Sequence, residues 1–385
     1  MMYDTTSNAD TTSPAPRRTA SHDSGGLGGE IGTPRISHEI SSPGGIASLL
    51  QVERSRLRRH ALPGPEQPLL RFLKRQYARA LSLPAEVALR LMNLPQLDRS
   101  IPRRSASLPA ARLPRANAAV VEAIERDGFC VTSLAALGIP GSTAMLDAAL
   151  DLSRVLAGRA RKDAGRHTIF ANAADLLAQP RIFQWGLEDR LLDIVEAYLG
   201  TQAAYGGASY SYSVADGREA GTRVWHRDRE DHRMLKVGLY ISDVTREDGP
   251  LELLRRSWQE RLDARRTRWR YQSFRQADLE AALPEADPED TIHTLAGPPG
   301  TVLFIDTARH HHRGRPPTGH DRSAIYHSYF PRRPRHPFCC ERSALSREEI
   351  AGFARDLPQR KRDTILWRQA LTGPLSWIPR DRPRS

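Results

Sequence analysis

Cysteine is scarce in this chain. Of 385 residues only Cys130 and the neighbours Cys339 and Cys340 are cysteines. That odd set offers no disulfide framework and points to a reducing, cytoplasmic setting. With no Cys-x-x-Cys pair, a zinc ribbon or finger is not expected. Long apolar runs are missing too: nothing approaches the roughly 18 consecutive apolar residues that a membrane span needs. The polar start Met1-Met2-Tyr3-Asp4-Thr5-Thr6 has no apolar h-region, so no secretory signal is expected, and Arg17-Arg18 is no twin-arginine signal for the same reason. Acidic residues fall short of basic ones, 45 against 57, which leaves a net charge of +12. Such a balance suits nucleic acid, an anionic membrane or acidic metabolites and carries no information about fold. Arginine-rich genomic composition accounts for it equally well.

The texture of the chain changes along its length. Residues 1–46 are Ser, Thr, Gly, Pro and Asp with hardly a bulky apolar group, too little to offset ordering entropy, so a disordered tail is expected. Residues 47–115 read as a helical extension and linker. Leu70, Leu73, Tyr77 and Leu81 have the i, i+3, i+7 spacing of an amphipathic helix, with Arg71, Lys74, Arg75 and Arg79 mostly elsewhere on it. A docking helix is favoured over one that lies on membrane or nucleic acid. Pro95, Pro102, Pro109 and Pro114 mark the linker.

The main domain is expected over 116–338. Helices are predicted at 120–126, at 142–160 with Leu146, Ala149, Leu150 and Val155 on the apolar side, and at 187–198, closed by Gly200. Short strands then take over: 129–131 early on, followed by 208–214, 223–228, 235–243, 301–306 and 322–330. Helices first and strands later predict an α+β fold, a sandwich or small barrel with helices outside. An insertion at 255–296 carries eight arginines between Arg255 and Arg275 against Glu260 and Asp263, then an acidic run from Asp278 to Asp290. It either pairs with itself or forms a lid over the mouth of a site. Residues 339–385 form a C-terminal helix and tail. There Ser346-Arg347-Glu348-Glu349 is a capping box, and Leu345 with Ile350 has the spacing of a hydrophobic staple.

The chemistry centres on Trp225-His226-Arg227-Asp228. On a strand, residues i and i+2 share a face, so His226 and Asp228 present an imidazole and a carboxylate together. That is two-thirds of a facial iron site, which needs one more histidine from elsewhere in the fold. The run His310-His311-His312 supplies candidates, with His310 and His312 on one strand face and His311 on the other. Arg322 opens a strand whose alternation places Arg322, Ala324, Tyr326 and Ser328 on one face. A guanidinium aimed into a barrel requires an anion, and its planar fork matches a carboxylate. Lys236, Tyr210, Tyr212 and Trp225 on neighbouring strands are candidates for the pocket and for cofactor contacts. His232, His293 and His327 read as satisfied or surface histidines, Cys339 and Cys340 as packing residues.

Taken in order, Trp225-His226-Arg227-Asp228, the strand Lys236 to Val244, Asp248-Gly249-Pro250, Asp306-Thr307-Ala308-Arg309 leading to His312 and Gly314, and Arg322 ten residues on resemble the phytanoyl-CoA dioxygenase family. The resemblance covers roughly 116–331. It implies a double-stranded β-helix (jelly-roll, cupin-like) core with flanking helices, and a non-haem Fe(II), 2-oxoglutarate-dependent oxygenase that uses O2. It implies His226, Asp228 and His312 as metal ligands, favouring His312 over His311, and Arg322 as the residue that holds the distal carboxylate of 2-oxoglutarate. With Asp228 present, hydroxylation rather than halogenation is implied. One departure stands out: where the family commonly has Gly-Ser-His, this chain reads Arg255-Arg256-Ser257-Trp258. The expected substrate is a small or lipid-like organic molecule, with the insertion's arginines pointing to an anionic group. Other readings are a related desaturase or isomerase, and a non-catalytic basic binding protein on the same scaffold. No obligatory nucleic acid is expected.

Overall fold

Val120, Val121 and Ile124 line one face of the first helix, α1 (Arg115–Asp127), and are buried. Gly128 ends it at φ +86°, a left-handed conformation that glycine adopts without a Cβ penalty. The chain then enters β1 (Phe129–Ser133), a one-turn helix α2 (Leu134–Leu137) and the long α3 (Ser142–Lys162). The buried stripe of α3 is Met145, Ala148, Ala149, Leu152, Leu156 and Ala160. This corrects the apolar side read from sequence: Ala149 belongs to it and Leu146 packs at its edge, but Leu150 and Val155 are 37% and 48% exposed. The small alanines hold the contact face, which shifts the stripe away from the bulkier side chains.

After β2 (Thr168–Phe170) come α4 (Ala173–Ala178), α5 (Pro180–Trp185) and α6 (Asp189–Leu199), the last closed by Gly200 at φ +69°. The strands β3 (Ala203–Ser213), β4 (Leu235–Tyr240) and β5 (Leu251–Leu254) follow. The insertion contributes α7 (Arg256–Arg265), α8 (Gln276–Ala282) and α9 (Pro288–Thr291) before β6 (Ile292–Leu295), β7 (Thr301–Ile305), β8 (His312–Gly314) and β9 (Arg322–Pro331). α10 (Arg347–Ala354) starts at the predicted Ser346/Glu349 capping box, and α11 (Gln359–Ile365) comes after it.

The computed structural model describes residues 113–163, 165–265 and 273–371. The expected tail 1–46, the 70–81 helix and the end of the chain from 372 lie outside the described residues. Among the described residues no helix is long and apolar enough to cross a membrane.

Two antiparallel sheets form the centre of a mixed α and β fold. The larger runs β1-β7-β4-β9-β3-β2 and the smaller β6-β5-β8. Tyr240, Leu303, Ile305 and Ala324 of the larger sheet meet Leu251, Leu253 and Leu295 of the smaller in one buried cluster, so the sheets face each other. The opposite face of the larger sheet, with Val237, Leu239, Val302, Phe304, Ile325 and Tyr329, is covered by α1, α3, α5 and α6. Strand alternation does the sorting: one set of side chains builds the inter-sheet space, the other the helical core.

The 223–228 stretch is not the regular strand that was expected. Gly221–Arg223 is a 3-10 turn, and only Trp225 and His226 make isolated bridges. Trp225 exchanges backbone hydrogen bonds with Phe274 of the insertion, His226 with His312, and the Asp228 N–H donates to the Thr307 carbonyl at 2.9 Å. Three segments hold this short stretch, and no single partner strand runs beside it.

Candidate metal centre

The bridge between His226 and His312 brings the two imidazoles together, with ring centroids 4.3 Å apart. The Nδ1 of His226 lies 2.8 Å from the Val224 carbonyl, and that of His312 lies 3.1 Å from the His310 carbonyl. A carbonyl only accepts, so each Nδ1 carries the proton and each Nε2 keeps its lone pair. Asp228 completes the group: one donor atom from each of the three residues lies within 4.8 Å of the others. Two imidazole nitrogens and a carboxylate are the donor set of a facial metal triad.

Burial pushes the Asp228 carboxyl up, but the charges of Lys236, His312, Arg342 and His226 outweigh it and hold the group well below the usual carboxylate range. Lys236 Nζ is 2.5 Å from Asp228 Oδ2, and Arg342 Nη2 is 3.7 Å from Oδ1. Burial drives both histidines down, in His312 helped next by the facing His226. A carboxylate kept ionised beside imidazoles kept neutral is the protonation pattern that metal ligation requires.

His311 turns away. Its backbone N–H and its Nδ1 both reach Gln259 Oε1, at 2.9 and 2.8 Å, and its ring packs on Phe274. His310 is buried against Gly128, where a Cβ would lie 2.3 Å from His310 Nε2, so Gly128 both ends α1 and makes room for that ring. Of the three consecutive histidines, only His312 joins His226 and Asp228.

Arg322 is buried at the start of β9, with Nε and Nη1 lacking hydrogen-bond partners. Gly314 gives it space: a Cβ there would come within 2.8 Å of Arg322 Nη2. The nearby Arg223, which feels the charge of Arg322, is matched by Asp216 at 2.5 Å. A buried guanidinium with two unmatched nitrogens is costly unless an anion occupies the space before it.

The inner face of the large sheet reaches solvent at its edge strands, at Val131 of β1 (43% exposed) and at Phe170 of β2. Phe170 pairs with Ser211, and Ser211 with the inward Ala324, which places Phe170 on the inner face, where it is 45% exposed. Ser209 and Tyr326, paired across β3 and β9, are half-buried on the same face. Behind the small sheet a separate cleft of about 480 Å³, lined by Glu219, Glu252, Gln276 and Arg313 among others, is largely self-neutralised, with Arg313 Nε 2.8 Å from Glu252.

The family profile described as Phytanoyl-CoA dioxygenase (PhyH) matches residues 124–324, more than half of the chain. The chain belongs to this family. No curated protein sequence matches it. Solved structures similar to this member of the phytanoyl-CoA dioxygenase family include HygX from Streptomyces hygroscopicus with nickel and 2-oxoglutarate bound, at 17% identity over 57% of this chain and 87% of that one, TM-score 0.39. EctD from S. alaskensis in its apoform is 18% identical over 60% and 84%, TM-score 0.40. SnoN, a non-heme alpha ketoglutarate dependent epimerase from nogalamycin biosynthesis, is 14% identical over 57% and 84%, TM-score 0.36.

Two residues proposed from sequence for cofactor contact lie elsewhere in this family member. Tyr210 points into the helical core, donating to the Ala149 carbonyl at 2.7 Å, because on β3 it is Ser209 and Ser211 that face inward. Trp225 packs on the reverse side, in a cluster with Leu254, Leu262, Phe274, Leu279 and Leu283, and its Nε1 donates to Gln276. Tyr212 hydrogen-bonds Asp321 at the rim. Lys236 does stand at the site. The described part of the insertion grips the back of the Trp225 segment, with Arg227 paired to Asp263 at 2.7 Å, and its basic and acidic parts also meet each other, with Arg261 4.0 Å from Glu285 and Leu262 packed with Leu279 and Leu283. Arg342, Glu230 and Gln259 were not legible. Arg342 lies twenty residues beyond Arg322 in a segment with no motif, and a glutamine in an arginine-rich helix carries no signal.

Proposed function

We propose that this protein is an Fe(II)- and 2-oxoglutarate-dependent dioxygenase that hydroxylates a small or lipid-like organic substrate. His226, Asp228 and His312 would hold the iron, and Arg322 the distal carboxylate of 2-oxoglutarate. Membership of the phytanoyl-CoA dioxygenase family supports the reaction class, and two facing antiparallel sheets fit a double-stranded β-helix scaffold. The observation that carries the reading is the conjunction of the donor triad with Arg322, whose buried Nε and Nη1 have no partner of their own. A triad alone fits many metals; a triad with an unmatched guanidinium between the same sheets fits a metal and a dicarboxylate together.

Bound iron with 2-oxoglutarate and O2 supplies oxidising chemistry at a C–H bond. The chain's own part is orientation and exclusion of water. The Val224 and His310 carbonyls fix the imidazole tautomers. Asp228 occupies the third position as an ionised carboxylate, which is the basis for proposing hydroxylation. The catalytic unit extends through residue 371: Arg342 reaches Asp228, and Cys340, Trp367 and Leu371 cluster with Ala204 and Phe330.

Anaerobic titration with Fe(II) and 2-oxoglutarate tests the reading. A weak visible charge-transfer band should form in the wild type and vanish in His312→Ala. A folded protein that takes up iron yet shows no band would end the co-substrate assignment.

A further inference from the structure

Lys236 presents a problem in charge matching. Its ammonium is 2.5 Å from Asp228 Oδ2, an oxygen that also faces His312 Nε2 at 3.8 Å. Among the described residues, Asp228 is the one carboxylate within ion-pair reach of Lys236. The neighbouring Arg342 differs: Glu230, fully buried, accepts from Arg342 Nε at 2.5 Å. A divalent metal on the triad takes over the charge of Asp228 and repels the ammonium at short range, in surroundings where Coulomb forces are far stronger than in water.

Matching the ions of the loaded site leaves one over. Glu230 answers Arg342. The distal carboxylate of 2-oxoglutarate answers Arg322. Asp228 and the other carboxylate of 2-oxoglutarate answer the metal. Lys236, on the inner face of β4 beside Ser328 and 17% exposed, is left with no counterion. The neighbouring inner positions are Gly238, Tyr326 and Ser209, which give hydroxyls and space and no further charge. A Cβ at Gly238 would meet the Tyr326 ring at 3.1 Å, so glycine lets that ring lie across β4 beside the lysine.

On the basis of the oxygenase reading, we propose that Lys236 is the specificity residue of the substrate pocket, and that the substrate carries a carboxylate or phosphate which its ammonium holds once metal has displaced it from Asp228. In the loaded protein Lys236 marks where the anionic end of the substrate docks, on the side that opens past Tyr326 and Ser209 toward Phe170.

The test uses the full chain loaded with Ni(II) and 2-oxoglutarate, which does not turn over, titrated by calorimetry with inorganic phosphate and with acetate. Lys236→Met should bind Ni(II) at least as tightly as wild type and 2-oxoglutarate within about twofold, while losing tenfold or more in affinity for the probe anions. Lys236→Arg should retain anion binding, which separates lost charge from lost structure. Equal anion affinity in wild type and Lys236→Met, both loaded, would overturn the proposal. So would a loss of 2-oxoglutarate affinity with anion affinity unchanged, since the lysine would then serve the co-substrate. Failure of the wild type to take up Ni(II) and 2-oxoglutarate would instead sink the oxygenase reading, and this proposal with it.

Discussion

Gln259 Oε1 accepts two hydrogen bonds from His311, one from its backbone N–H and one from its Nδ1–H. That pair holds His311 away from His226 and Asp228. With His311 tied to α7, strand alternation points the His312 ring inward, and the backbone of His312 is held by His226. The basic insertion therefore braces His312, a proposed metal ligand, from behind.

Replacing Gln259 with leucine leaves the buried His311 ring and amide without their acceptor. The expected cost is roughly 1–3 kcal/mol of stability, together with weaker metal binding, because the register of His312 loses its support. Thermal denaturation with and without Ni(II) checks this: the metal-induced rise in Tm should shrink in Gln259→Leu. An unchanged metal-induced rise would mean that the β8 pairing alone fixes His312.

As the proposed anchor of 2-oxoglutarate, Arg322 should be costly to the protein without co-substrate and needed by the loaded one. Arg322→Met removes a buried guanidinium with two unmatched nitrogens, so stability without co-substrate should stay level or rise by about 1 kcal/mol. Affinity for 2-oxoglutarate should fall by two orders of magnitude or more, read from the charge-transfer band. Opposite signs for stability and binding are the mark of a residue kept for its ligand.

Acid should unfold this protein through its buried histidines. Burial pushes His327 down to about 3, and likewise His336. The folded state thus favours the neutral rings, while the unfolded chain binds their protons near 6.5. Their contribution is fully present above pH 6.5 and is lost as pH falls toward 3. His327→Leu removes one titrating ring while Tyr205, its partner at 2.7 Å, still reaches the Phe183 carbonyl. Urea denaturation at pH 7 and pH 5 should show a smaller difference in the variant than in the wild type.

What the sequence made legible follows from the kind of signal each residue carries. Spacing and order singled out His226, Asp228 and His312, which the fold brings within 4.8 Å of one another, and Arg322, because the proposed site needs fixed residue types on fixed strands. Alternation failed for Tyr210, since a tyrosine suits an inner or an outer face and only the register with β9 separates them. It failed for Trp225 because the partner on its reverse side, Phe274, comes from an insertion whose charged composition hides a small apolar core of Leu262, Leu279 and Leu283. In α3 the bulk of Leu150 and Val155 drew the expected face away from the alanines that make the contact.

The mouth and the support of this site sit on different elements. Phe170, Ser209 and Tyr326 border the open side on the large sheet, while α7 and Phe274 brace the histidines from the far side of the small one. Substitutions at the rim can therefore change which molecule is accepted without loosening the metal, and substitutions in the brace can change metal retention without touching selectivity. The architecture separates what meets a substrate from what holds the proposed metal ligands, so variants of this scaffold with altered preferences should be sought at the rim of the large sheet.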